Sequence, residues 1–492
     1  MPPLVRPAVR SSLTPGEPAA APISQDSLRL ATSTYTAPQE LTALVSLLEG
    51  TPGFNGLVSA LEAGNSGTID GAWGSASALT SATLTRRCPE TLLVVLPRQA
   101  DLDDYADDLE AFLGEAPSIF PAWDTLPNEH DVTDAVFGKR LRILRQFQGA
   151  ERPKLVVTTI AALLQPTPSR AEIQAGARTV SIGDELDQED FQQWLIDRGF
   201  ERVTGIQLPG EFAVRGGILD LYPPDSEEPI RLEFFDTEVE SIRKFDAESQ
   251  RTVENLNAVD IAIVSPVDSA TGDEESTGTS GVKKITAASK QATNSHLGGE
   301  SLMDFLPDAT WSVLSELSDL VAEVRQYLER MKDPRGLFSV DAVMAKLTLK
   351  PTVEVAPIAA DGFDTSCHLQ IESIERFTGP RAEVLNELAE VVGRQERVLI
   401  ACHNEGEQQR LTELLNEGVP DLAQRVTLCI GRVGRGFRLV PQGVVVLSDH
   451  ELFNRTDIRR VTKKKPRFES RAIDSFIELN EGDLVVHLAH GI

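Results

Sequence analysis

The sequence predicts a multidomain α/β protein in which a small sheet domain is inserted into a first α/β unit and a further α/β unit follows. Three observations carry that expectation. A chain of 492 residues with 41% apolar composition exceeds what one core accommodates, so roughly three or four domains are expected. Short apolar runs alternate with helix-period segments in two separate stretches, the cadence of a parallel sheet. Between those stretches lies a block of short strands separated by turn-forming residues, the pattern of an antiparallel sheet.

Taken in order, residues 1–40 are rich in Pro, Ala, Ser and Thr and hold no long apolar run, so a disordered tail without signal peptide or membrane span is expected. Residues 41–176 form the first part of the first α/β unit. "TLLVVLP" is a strand; "RQADLDDYADDLEAFL" is a helix, with Leu102, Tyr105, Leu109 and Leu113 at helical spacing; "AVFGKRLRILRQF" is a helix and "KLVVTTIAALL" opens as a strand. Residues 177–264 form the inserted domain, a helix at "DQEDFQQWLIDRG" followed by the strands "FAVRGGILDLYP", "PIRLEFFD" and "TEVESIRKFD". Residues 265–356 return to the first unit after a flexible low-complexity loop at 269–298. Residues 357–454 are a further α/β unit, with strands "RVLIACH" and "GVVVLSD" and a helix "EGEQQRLTELLNEG" closing on Gly418. A basic linker, 455–480, and an incipient strand within 481–492 complete the chain.

Charge and cysteine usage narrow the chemistry. A formal net charge of −28 opposes grip on a nucleic-acid backbone, and the basic run Arg459 to Arg471 reads as a solvated linker. Cys88, Cys367, Cys402 and Cys429 lack paired spacing, which argues against disulfides or a thiolate metal site and points to a reducing, cytoplasmic setting. "GAWGSASALT" has the outline of a phosphate loop, with Gly71 and Gly74 suited to a turn. The three positions that would carry a glycine, the phosphate-binding lysine and the magnesium hydroxyl are Ala76, Ser77 and Ala78. No nucleotide, magnesium or other metal is expected at this loop, and no catalytic residue is assigned. Four further signals are read as structural: His487 and His490, which fall on opposite faces of an extended strand; the adjacent Cys402 and His403; the loop "GRVGRG" from Gly431; and "SDHE" from Ser448.

The stretch Gly210 to Thr252 resembles the inserted domain shared by the excision-repair protein UvrB and the transcription-repair coupling factor family. "WDTLP" from Trp123, "SLMDFLPDA" from Ser301, "GRGFRLVPQGVVVLSDHELF" from Gly434 and the terminal "GDLVVHLAHGI" are similar to that family in the same order. The resemblance implies a UvrB-like, RecA-like first unit with a degenerate phosphate loop, and no aromatic DNA-opening hairpin after "WDTLP". It implies UvrA as partner, contacted through Arg215, Arg231 and Phe235. It also implies that Val485, Val486, His487 and His490 begin a domain that binds RNA polymerase. ATP, magnesium and DNA would be handled by a motor beyond Ile492. Two functions follow: a non-enzymatic adaptor that recruits UvrA to stalled polymerase, or a fragment of an ATP-driven DNA translocase.

Strand alternation alone leaves two readings open, Phe235 packed under a neighbouring helix with the arginines in surface ion pairs or an interface, and the resemblance selects the interface. In "PIRLEFFD" alternation places Ile230, Leu232 and Phe234 on a core face and Arg231, Glu233 and Phe235 on the other, an aromatic among charges where a solvent face normally has none. In "EFAVRGG" it sends Phe212 and Val214 inward, and Ala213 and Arg215 outward.

Overall fold

The structure is a computed structural model that describes residues 40–123, 134–262, 300–331, 334, 336–358, 363, 365–374 and 383–453. The tail before residue 40, the loop 269–298, the basic run and the strand at Val485 and Val486 with His487 and His490 lie outside the described residues.

The first unit opens with helices α1 (Ala43–Glu49) and α2 (Phe54–Glu62), then β1 (Gly67–Asp70), α3 (Ala76–Arg87), β2 (Leu92–Leu96), α4 (Leu102–Leu113), β3 (Ser118–Phe120), α5 (Ala135–Gln148), β4 (Leu155–Thr159), α6 (Ile160–Leu164) and α7 (Arg170–Ala175). β2 and β4 are buried along their whole length, which explains their unbroken apolar and β-branched runs: a central parallel strand is covered on both faces. The inserted unit runs through β5 (Ala177–Ser181), α8 (Gln188–Ile196), β6 (Glu201–Arg202), β7 (Glu211–Arg215), β8 (Ile218–Leu221), β9 (Ile230–Phe235), β10 (Glu238–Phe245), β11 (Thr252–Leu256) and β12 (Ala258–Ala262). The Asp187 side chain caps α8 by accepting from Glu189 and Asp190 N–H, so the predicted helix starts where its cap residue directs.

The chain then returns through α9 (Leu302–Phe305), β13 (Trp311–Ser315), α10 (Leu317–Arg330), α11 (Val340–Thr348), β14 (Thr352–Ala356) and β15 (Thr365–His368). β1–β4 and β13–β15 make one seven-stranded parallel sheet in the order β15-β1-β14-β13-β2-β4-β3. The last unit holds β16 (Ile371–Ser373), α12 (Val384–Val391), β17 (Arg397–Cys402), α13 (Glu405–Gly418), α14 (Pro420–Ala423), β18 (Val426–Ile430), β19 (Phe437–Leu439), β20 (Val444–Ser448) and α15 (Asp449–Leu452), with sheet order β16-β19-β20-β17-β18.

Two expectations about organisation are corrected. The boundary at 356/357 fails, because β15 crosses back to pair in parallel with β1 and belongs to the first sheet. Nor does the last unit stand apart: Leu41, Leu44 and Leu48, Phe112 of α4, and Val433, Phe437 and Val446 belong to one continuous buried cluster, with Phe112 and Phe437 meeting edge to face at 6.2 Å. α1 and α4 are thereby shared by two sheets, so the core that buries their apolar residues is built from sequence more than 300 residues apart.

The inserted unit is anchored by α5. Gly138 faces the turn after β8 so closely that a Cβ there would lie 2.1 Å from the Pro224 carbonyl oxygen. One and two turns on, Arg142 donates to the Asp225 carbonyl at 2.7 Å and to Glu227 at 2.8 Å, and Arg145 pairs with the Asp225 carboxylate. A glycine followed by two arginines on one helix face thus fixes how the inserted sheet is held.

Candidate docking surface and degenerate phosphate loop

The inserted sheet, β11-β10-β9-β8-β7-β6, is antiparallel except for the parallel β6–β7 pair. Its inner face carries Phe212, Leu219, Leu232, Phe234 and Ile242 against Phe191 and Leu195 of α8. On its outer face, register places Arg215, Ile218, Glu233 and Ser241 in one cross-strand row, and Ala213, Asp220, Arg231 and Arg243 in the next. Phe235 continues the face at the end of β9 and is 74% exposed. Arg215, exposed at the end of β7 two strands away, donates to the Thr204 carbonyl at 2.9 Å. The turn between them demands glycine: Gly216 has φ 61°, and a Cβ on Gly217 would lie 2.7 Å from the Phe234 carbonyl oxygen.

The outer face is not uniformly open. Ala213, expected outward toward solvent, is buried with Ile206 and Phe245 in a second small cluster. A register shift between Lys244 and Phe245 accompanies the placement of that aromatic, which covers one end of the face. Arg231 spans it, with its guanidinium 4.3 Å from the Phe245 ring centroid. The same guanidinium closes on Asp220 at 2.6 and 2.8 Å and reaches Gln250 at 2.8 Å. Asp220, only 5% exposed, holds the arginine more firmly protonated than usual through that hydrogen-bonded pair. Arg231 therefore lies on the predicted face with its fork already engaged. Arg215 and Phe235 project where partners are few, and Glu233, in the row of Arg215, pairs with Arg243 of the next row and accepts from Ser241 at 2.6 Å.

At the other site, β1, the turn Gly71 to Ser75 and α3 reproduce the strand, loop and helix order of a phosphate loop. Its chemistry is different. Ser77, at the lysine position, is tied to α4: the Tyr105 hydroxyl donates to the Ser77 carbonyl at 3.1 Å and lies 2.8 Å from the Ser81 hydroxyl. Ala76 and Ala78 are fully buried in the core. Both glycines serve packing. Gly71, at φ 80°, admits the Leu369 carbonyl, which would lie 2.1 Å from a Cβ, and Gly74, at φ 57°, admits Arg435 at 3.0 Å. "GRVGRG" is a loop, as expected, but its tip reaches this turn. Ser75 N–H donates to the Arg435 carbonyl at 3.2 Å, Arg435 N–H donates to the Ser75 hydroxyl at 2.9 Å, and Gly434 N–H donates to Asp108 of α4 at 2.7 Å. Burial pushes the Asp108 carboxyl up to about 7, while the Ser75 hydroxyl and Gly434 N–H hold it down. No signal short of three-dimensional contact would have singled out Asp108, which sits in an acidic helix like its neighbours.

The signals at Ser448 and at Cys402 and His403 resolve as structure. Ser448 and Glu451 form a capping box on α15, and Glu451 accepts from Gly436 N–H at 2.9 Å. Cys402 is buried and its thiol is pushed up to about 12, the opposite of a nucleophile; His403 faces Arg432 at 3.0 Å instead. All four cysteines are buried free thiols. Among the described residues no helix is long and apolar enough to cross a membrane.

A family model, the UvrB interaction domain, matches residues 179–265. The chain is 25% identical to a transcription-repair-coupling factor of Bacillus subtilis over 86% of this chain and 41% of that protein. It is 24% identical to one from Staphylococcus epidermidis over 80% of this chain and 38% of that protein. Over a shorter stretch, 37% of this chain and 15% of the relative, identity to the Mycobacterium tuberculosis factor is 35%. The chain thus spans well under half the length of the curated relatives it matches over most of its own residues.

Proposed function

We propose that this chain, related over most of its length to transcription-repair-coupling factors and carrying a UvrB interaction domain, is their amino-terminal adaptor: a non-catalytic mimic of UvrB that recruits UvrA to RNA polymerase stalled at DNA damage. The observation that carries this reading is the half-open outer face of the inserted sheet. One end is closed by Phe245 and Arg231, and the other offers Phe235, 74% exposed, on the same sheet face as the exposed Arg215 two strands away. A large exposed aromatic and an exposed arginine on one face of the sheet, two strands apart, have the composition of an interface hot spot. Arg215 and Phe235 supply contacts; Arg231, locked on Asp220, positions the surface.

The absence of catalysis is argued from the degenerate loop. The lysine that would neutralise terminal phosphates is Ser77, and the hydroxyl that would hold magnesium is Ala78, fully buried. The polymerase contact is assigned to the segment containing Val485, Val486, His487 and His490, and DNA contact to neither surface. Titrating the whole chain with purified UvrA tests the adaptor role: a saturable complex that UvrB displaces is expected, and no complex at micromolar concentrations overturns it. Magnesium and ATP should leave the melting temperature unchanged, because a ligand that binds the folded state must raise it.

A further inference from the structure

We infer that the degenerate phosphate loop is a docking socket for the last unit: the peptide loop Gly431 to Gly436 takes the position at the start of α3 that a nucleotide would otherwise occupy, and locks two α/β units together without a ligand. The socket is complete in the chain. Ser75 N–H, at the helix start where a phosphate oxygen would be received, donates to the Arg435 carbonyl. From Arg435 N–H the hydrogen bonds continue through the Ser75 hydroxyl to the Asp108 carboxyl, which also accepts from Gly434 N–H. Asp108 is 6% exposed and, among the described residues, has no cationic partner at hydrogen-bond distance; it accepts from Ser75 and Gly434 of this socket.

The two glycines that resemble a phosphate loop are accounted for by the same contact, since Gly74 leaves room for Arg435 and Gly71 for the strand connection at Leu369. Around this polar pin the interface is apolar, with Val433 and Phe437 buried against α4 and a Cβ on Gly431 lying 2.9 Å from Leu41. In a nucleotide-driven pair of α/β units the ligand makes and breaks the bridge between them. Here the bridge is a hydrogen-bonded loop of the chain itself, so the two units behave as one body that presents the inserted sheet from a fixed frame.

The cysteines report on the lock. Cys88 and Cys367 belong to the first sheet unit and Cys402 and Cys429 to the last, and all four are buried with thiols raised by burial, so alkylation reads opening. The experiment is alkylation of the whole chain at pH 8 across a urea series, with each cysteine quantified by mass spectrometry, for wild type, Asp108→Ala and Gly74→Ala. Wild type should label all four at one midpoint. In Asp108→Ala, Cys402 and Cys429 should label about tenfold or more faster than Cys88 and Cys367 at fixed sub-denaturing urea, the factor set by losing a buried acceptor shared by two donors. Gly74→Ala attacks the socket from the opposite side and serves if Asp108→Ala does not fold. Asp108→Asn, which keeps an acceptor oxygen for Gly434, should retain coupled labelling. Split midpoints in wild type, or midpoints that stay together in a folded Asp108→Ala or Gly74→Ala, overturn the lock.

Discussion

Replacing Phe235 by alanine isolates the proposed contact. The side chain of a phenylalanine buries about 200 Å² when fully covered. With 74% of the residue exposed, about 150 Å² is available to a partner, and at about 25 cal/mol per Å² its complete burial is a ceiling of about 4 kcal/mol. Half-coverage gives about 2 kcal/mol, or about a 30-fold rise in Kd for UvrA. Folding should hardly register the change, by less than about 1 kcal/mol, because little of the ring touches the domain. Arg215→Glu on the same end of the sheet should weaken the complex by about 2 kcal/mol or more while leaving the melting temperature close to wild type. Calorimetric titration of UvrA with wild type, Phe235→Ala and Arg215→Glu, paired with melting curves, checks both. Affinity within twofold of wild type for both variants refutes the surface, and lost affinity accompanied by a lower melting temperature returns these residues to a structural role.

Arg231→Ala should behave differently, destabilising the inserted domain by about 2–4 kcal/mol because it strands the buried Asp220 and uncovers Phe245; urea unfolding would show the loss. Gly138→Ala should cost more than about 1 kcal/mol, since its Cβ meets a backbone carbonyl that cannot rotate away, and protease cleavage between the inserted and first units should accelerate; unchanged stability would mean that α5 and the Pro224 turn separate freely. Asp108, pushed up chiefly by burial and to a lesser extent by Asp104 and Asp107, and pulled down by Ser75 and Gly434, keeps in the folded state a proton that the unfolded chain releases near 3.8. Its contribution is therefore most favourable in acid and is lost as pH rises from about 4 to about 7, then stays constant. Asp108→Asn should gain on wild type steadily through that window and level off above about pH 7, measured as the difference in melting temperature at matched pH.

How much of this was legible beforehand follows from the range of each signal. β9 displays its alternation in "PIRLEFFD", and the structure buries Ile230, Leu232 and Phe234 while exposing Phe235, because side-chain direction along a strand is a local property. The same rule misplaced Ala213: alternation assigned its face correctly, but that face is covered there by Phe245 and Ile206, and periodicity carries no information about what lies opposite. Arg231 was legible as outward and charged, whereas its engagement with Asp220 depends on the register of β8 against β9.

By itself the sequence determined the kinds of element and their order, the inward faces of the strands, and the loss of lysine and hydroxyl from the phosphate loop, since each is written in residues adjacent along the chain. Only tertiary structure decided that β15 returns to pair with β1, that α1 and α4 serve two sheets, and that Asp108 receives Gly434 across 326 residues. The physical reason is the same in all three: burial and hydrogen bonding depend on which surfaces meet, and a local pattern specifies a surface that must be covered without specifying what covers it.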